Sequence, residues 1–124
     1  MILIVEDEFI VAFELASTVE RFGYAVCGPV SSGPAAIELA EREKPDCVLM
    51  DVSLKGGMDG IETARHLRTR YGIRSLFLSG YPTNEMMQRA ADVEPIGCLV
   101  KPVEHEQLEA LLAAFFGSIV SDPS

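Results

Sequence analysis

Positive charge is scarce in this sequence: 10 Lys and Arg stand against 19 Asp and Glu in 124 residues, a net charge of −9. That balance argues against nucleic-acid binding, because phosphate contacts need a basic face. It suits a chain that recruits Mg²⁺ or a partner with a basic patch. Long apolar runs are missing as well. None approaches the ~20 residues of a membrane-spanning helix. The acids at Glu6–Glu8 follow too closely on Ile2 for a signal peptide. The expectation is a cytoplasmic chain with no membrane partner. Cysteine is sparse: Cys27, Cys47 and Cys98 lack metal-ligand spacing. Each falls in an expected strand, where a free thiol behaves as a small buried hydrophobe, and a reducing compartment is the natural setting. There is no internal repeat and no low-complexity segment. What remains, at 48% hydrophobic residues, is enough for one domain with a real core.

The most informative stretch is Cys47-Val48-Leu49-Met50-Asp51, bounded by Pro45 before it and by Gly56, Gly57 and Gly60 after it. Four apolar residues in so short a run read as a strand buried on both faces. The same pattern recurs: strand at 2–6, helix from Glu8 to Phe22, strand at 24–27, helix from Pro34 to Lys44, strand at 47–51. It continues with a helix from Gly60 to Tyr71, strand 76–79, a weakly patterned helix from Thr83 to Val93, strand 97–100 and a helix from Glu104 to Phe116. Phe9, Val11, Ala12, Leu15, Ala16 and Val19 recur at helical spacing and are expected to form the apolar face of the first helix. Asp59-Gly60-Ile61-Glu62 has capping-box spacing, and Gly72 suits the residue after a helix end. Five strand–helix units with short connections predict an α/β fold, a doubly wound parallel sheet covered on both faces. Residues 1–117 form the domain, and 118–124 read as a tail or the start of a linker.

Ligands of such sheets bind beyond the carboxyl ends of the strands. Four strand ends here deliver Glu6 and Asp7, Asp51, Ser79 and Lys101 to one rim. Three clustered carboxylates repel one another, and a hard cation such as Mg²⁺ relieves that repulsion. The plainer alternative is that Glu6, Asp7 and Glu8 form the acidic first turn of the following helix. That does not account for Asp51 and Lys101. Lys101 can neutralise part of the cluster and hold a phosphoryl oxygen. The bond to Pro102 is a candidate cis peptide that would turn the lysine inward. Ser79 offers a hydroxyl donor. No Ser–His–acid set is evident, His66 and His105 both read as surface residues, and acids stand where a phosphate-cradling G-x-G would follow strand one.

The acid pair after strand one, Asp51 ending strand three, Ser79 ending strand four and Lys101-Pro102 after strand five resemble the receiver domain of two-component response regulators. The likeness runs from Ile2 to about Phe116 and implies a flavodoxin-like sheet in the order 2-1-3-4-5. By that resemblance Asp51 is the phosphoacceptor, taking its phosphoryl group from a sensor histidine kinase or a histidine phosphotransfer protein. Asp7 and Asp51 bind Mg²⁺ (Mn²⁺ can substitute), with Glu6 acting through water and Ser53 through its backbone carbonyl. Ser79 and Lys101 grip the phosphoryl oxygens. Phosphorylation then changes the surface around helix four, strand five and helix five, which a downstream target or fused output domain reads. The chain departs from the family at three points. Cys98 stands where receivers carry an aromatic switch residue, with Tyr81 a possible stand-in or a shield of the aspartyl phosphate. Phe77-Leu78-Ser79-Gly80-Tyr81 resembles the Phe-Ala-Thr-Gly-Tyr subset, in which Gly80 goes with a mobile helix four. The loop from Ser53 to Gly60 is one residue longer than usual and lacks its proline.

On this reading the chain is a switch and not an enzyme, beyond Mg²⁺-dependent phosphorylation and dephosphorylation of its own Asp51. A haloacid-dehalogenase-type phosphatase is the main rival, but it needs an acid two residues after the nucleophile, where Ser53 stands. A third reading is an interaction domain that keeps the fold without the chemistry.

Overall fold

The computed structural model describes residues 1–120. Its five strands are β1 (Ile2–Val5), β2 (Val26–Val30), β3 (Cys47–Asp51), β4 (Arg74–Ser79) and β5 (Gly97–Val100). They pair in parallel in the order β2-β1-β3-β4-β5. Between and after them come α1 (Phe9–Arg21), α2 (Gly33–Glu43), α3 (Gly60–Tyr71), α4 (Asn84–Ala90) with a 3-10 turn at Ala91–Val93, and α5 (His105–Val120).

Side chains alternate across the sheet, so each all-apolar run feeds two cores. Leu3, Val5, Val48, Met50 and Phe77 pack on one face with Ala36, Ala40, Ile61 and Leu67 of α2 and α3 and Met86 of α4. Ile2, Ile4, Leu49, Leu76 and Leu78 pack on the other with Leu15 and Val19 of α1 and Leu108 and Leu112 of α5. The α/β, doubly wound expectation is met, and β1 and β3 at the centre carry their terminal acids to the same edge.

Local rules account for most boundaries. Ser32 and Asp59 cap α2 and α3 by accepting from the Ala35 and Glu62 N–H groups, and Gly72 closes α3 in a left-handed conformation. Five expectations need correction. The second strand lies at Val26–Val30, not 24–27. Being at the sheet edge, it tolerates Pro29, and its register against β1 shifts between Leu3 and Val5. Gly28 takes φ +87 there, and a Cβ would stand 3.1 Å from the Ile4 carbonyl. The fourth strand starts two residues earlier, at Arg74. Helix four is only seven residues long and tightens into the 3-10 turn. Phe9, expected in the core face of α1, is 81% exposed; the buried positions of α1 begin only at Ala12, so Phe9 takes no part in the core. Residues 118–120 continue α5, and the rest of the expected tail lies outside the described residues. Among the described residues no helix is long and apolar enough to cross a membrane.

Candidate functional site

β1 and β3 run side by side, and the residues that follow them meet at the edge of the sheet. One carboxylate oxygen from each of Glu6, Asp7 and Asp51 falls within a set whose members all lie within 4.8 Å of one another. Glu6 and Asp51 are buried, and Asp7 is partly exposed. None of Glu6, Asp7 and Glu8 lies in the first turn of α1: Glu8 is its N-cap, and its side chain makes no capping bond. The acids therefore do not form the first turn of that helix, although Glu8 stands at its positive end.

Each acid is held by a backbone N–H. Glu6 Oε2 accepts from Glu8 N at 3.1 Å, Asp51 Oδ1 from Ser53 N at 3.1 Å, and Asp7 Oδ2 from Lys55 N at 3.2 Å. Lys101 arrives from the end of β5 through a cis bond to Pro102, as expected from the sequence. Its Nζ donates to Glu6 Oε1 at 2.5 Å and lies 3.2 Å from Asp51 Oδ1. Ser79 ends β4 next to these groups, 4% exposed, and its Oγ accepts from Tyr81 N at 3.2 Å. Its carbonyl accepts from Lys101 N at 2.9 Å, which fixes the lysine's strand end to the serine's.

The electrostatics follow from burial. Desolvation pushes the Glu6 carboxyl up to about 6, outweighing the bond from Lys101 that pulls it down, and Asp51 adds to the rise. Burial alone would lower the Lys101 ammonium, but Glu6 and Asp51 hold it above its ordinary value. One cation thus serves two buried carboxylates and leaves net negative charge at the rim. Hard oxygen donors with unbalanced charge and a partly open face are what Mg²⁺ takes, with the remaining positions filled by water. The donor set fits that ion.

The remaining expected residues divide. Gly80 is exposed, with open space where a side chain would be. Tyr81 is 85% exposed and is tied to the site through its N–H, which donates to Ser79 Oγ. Cys98 is half-buried, packs with the core on the α4 side, and burial raises its thiol pKa. Ser53 is exposed and joins the site through its amide. The sequence reading missed the exposed apolar patch of Phe9, Ile10 and Phe13 beside Glu6 and Asp7, in which the Phe9 and Phe13 rings stack at 6.4 Å. Helical spacing alone could not reveal it, because it marks a face without showing where along the helix burial begins. It also missed the Gly28–Pro29 cis bond.

A family model described as the response regulator receiver domain matches residues 2–113. Among curated proteins, the chain is similar to the transcriptional regulatory protein PdtaR of Mycobacterium tuberculosis, 35% identical over 101 residues, which cover 82% of this chain and 49% of PdtaR. The phyllosphere-induced regulator PhyR of Methylorubrum extorquens is 30% identical over 118 residues, covering 93% of this chain and 43% of PhyR. The chain thus spans about half the length of these relatives or less. Sporulation initiation phosphotransferase F of Bacillus subtilis is 27% identical, with 86% of each chain covered. Among solved structures, the signal receiver domain of a modulated diguanylate cyclase from Desulfovibrio desulfuricans G20 superposes with a TM-score of 0.88 at 34% identity, covering 94% of this chain and 93% of that one.

Proposed function

The chain belongs to the response-regulator receiver family of two-component systems, and on that premise we propose that it is a phosphorylatable switch whose acceptor is Asp51. The observation that carries this reading is the contact of Lys101 with both Asp51 and Glu6 at the sheet edge, beside a third acid. An aspartate oxygen attacks the phosphorus of a phosphohistidine; the phosphorus–nitrogen bond breaks, and the imidazole leaves with the bonding pair. Lys101 and the Ser79 hydroxyl bind the phosphoryl oxygens as charge builds on them. The Ser53 amide, already aimed at Asp51, orients the carboxylate. Asp7 and Asp51 would hold Mg²⁺ (or Mn²⁺), with Glu6 acting through water and the Ser53 carbonyl as a further ligand. The ion, when bound, neutralises charge on the transferring group.

The chain acts only on its own aspartate and is not an enzyme toward other substrates. Its phosphodonor is a sensor histidine kinase or a histidine phosphotransfer protein. The patch of Phe9, Ile10 and Phe13 supports a protein donor, because apolar area this exposed beside a charged site is a docking feature. The phosphorylated state is read by a downstream target or a fused output domain in the cytoplasm. A solved relative, the N-terminal domain of a response regulator/sensory box/GGDEF 3-domain protein from Carboxydothermus hydrogenoformans, illustrates such a fusion.

The deciding experiment is incubation with phosphoramidate and Mg²⁺, followed by intact-mass measurement. One added phosphoryl group, lost in Asp51→Asn while the melting curve is retained, supports the reading. Labelling that persists in Asp51→Asn moves the acceptor elsewhere, and no labelling of the parent chain revives the interaction domain without chemistry.

A further inference from the structure

Arginine is concentrated on one flank of this acidic chain, and there it ties α4 to α3. Arg65 donates from Nη2 to Asp92 Oδ1 at 2.9 Å and to the Arg89 carbonyl at 2.8 Å, and from Nε to Asp92 Oδ2 at 3.3 Å. Arg68 Nη2 reaches Glu94 Oε1 at 2.6 Å, and Arg74 Nε donates to the Glu94 carbonyl at 2.8 Å. These contacts fasten the far end of α4 and the turn after it. Another contact differs in place: Arg89 Nη2 on α4 donates to Asp59 Oδ2 at 3.0 Å.

Asp59 is the N-cap of α3 and the last residue of the loop that leaves Asp51. Its neighbour Gly60 sits directly on the backbone of Asp51, where a Cβ would fall 2.0 Å from the Asp51 carbonyl oxygen. The Gly60 N–H also donates to the Val52 carbonyl at 3.1 Å. The cap therefore cannot stay still if the turn after Asp51 moves. The carboxylate that caps α3 with one oxygen holds α4 with the other.

We propose that the Asp59–Arg89 pair carries the state of Asp51 to α4, making Arg89 a positioning residue for the switching helix. The inference rests on Asp51 being the phosphoacceptor. Two further observations support it. α4 is short, and only Met86 and Ala90 of its seven residues are buried, so a modest pull is enough to reposition it. An open cavity of about 410 Å³, lined by Ser53, Ser79, Thr83, Met86 and Arg89, lies between the acceptor loop and α4, so the helix has room to move toward the site. The added phosphoryl group offers the Ser53 amide a more highly charged acceptor than Asp51 Oδ1. The resulting shift of the loop passes through Gly60 and Asp59 to Arg89. The pair is partly exposed and screened by salt, so it biases α4 and does not lock it.

The test is to follow backbone amides by NMR on adding Mg²⁺ and beryllofluoride to the parent, Arg89→Gln and Arg65→Gln chains. In the parent, shifts are expected near Asp7, Asp51 and Lys101 and across 84–93. In Arg89→Gln the site shifts persist while those across 84–93 fall several-fold. In Arg65→Gln, which loosens α4 but leaves the Asp59 contact, both sets persist. Asp59→Asn, which keeps a capping oxygen but loses the charge, is expected to match Arg89→Gln. Unchanged α4 shifts in Arg89→Gln, or equal loss in both arginine variants, overturn the relay alone. Absence of site shifts in the parent overturns the phosphoacceptor reading with it.

Discussion

Lys101 Nζ lies 2.5 Å from Glu6 Oε1 and 3.2 Å from Asp51 Oδ1, so a single ammonium links the first strand's acid to the third strand's. Its side chain is 22% exposed, whereas Glu6 is fully enclosed. Lys101→Met leaves Glu6 and Asp51 side by side with no cation. Losing one partner of an enclosed pair strands the other charge, and with partial exposure the expected cost is about 1–3 kcal/mol. Part of that loss is restored by Mg²⁺, so urea melts with and without the ion are the check. A variant as stable as the parent in metal-free buffer would mean that the lysine offsets no repulsion.

The raised Glu6 carboxyl, at about 6 against an ordinary 4.5, sets a pH dependence. Between those values the folded chain keeps a proton that the unfolded chain has released, so stability falls as pH rises through the window. Above it, Glu6 is ionised and the cluster gains from a cation. Mg²⁺ is therefore expected to raise the melting temperature more at about pH 7.5 than at about pH 5, because protons and metal compete for one carboxylate. Equal shifts at both values would remove Glu6 from the metal's surroundings.

The positions of Glu6, Asp7, Asp51, Ser79 and Lys101 were legible in the sequence because each follows an apolar run that is long enough for one strand and has no alternative use. The sheet order was legible only through the resemblance, since apolar runs do not name their neighbours. Phe9 failed because periodicity assigns a face without showing where along the helix burial begins. The second strand failed because Gly28-Pro29 reads as a stop, whereas at an edge proline gives up only an unneeded donor. The Asp59–Arg89 contact joins residues 30 apart on two exposed helix ends, and no local pattern encodes such a pair.

Two glycines of one loop give contrasting expectations. At Gly60 a methyl would meet the Asp51 carbonyl at 2.0 Å, a clash with backbone that no rotamer relieves. Gly60→Ala is expected to destabilise by about 2–4 kcal/mol, as overpacking against a fixed backbone does. At Gly57 nothing lies within 4 Å, and Gly57→Ala is expected to stay within about 0.5 kcal/mol of the parent. Denaturant melts of both decide it; equal behaviour would show that the start of α3 shifts freely away from Asp51.

Cys47 begins β3 with no exposed surface, and burial pushes its thiol up to about 12. The thiolate is the reactive form, so Cys47 should resist a thiol reagent until the chain unfolds, while half-buried Cys98 reacts first. The same shift has a thermodynamic side. Above pH 9, the ordinary value, the unfolded chain releases a proton that the folded chain retains. Stability should then fall as pH rises, at up to ~1.4 kcal/mol per pH unit for this one group. Cys47→Ala lowers the starting stability by leaving a small void but removes this part of the alkaline slope. Urea melts of the parent and Cys47→Ala chains from about pH 8 to about pH 10.5 separate the two effects. An unchanged slope in Cys47→Ala would place the alkaline loss on other groups, and fast modification of Cys47 in the folded chain would show that the edge of β3 opens without global unfolding.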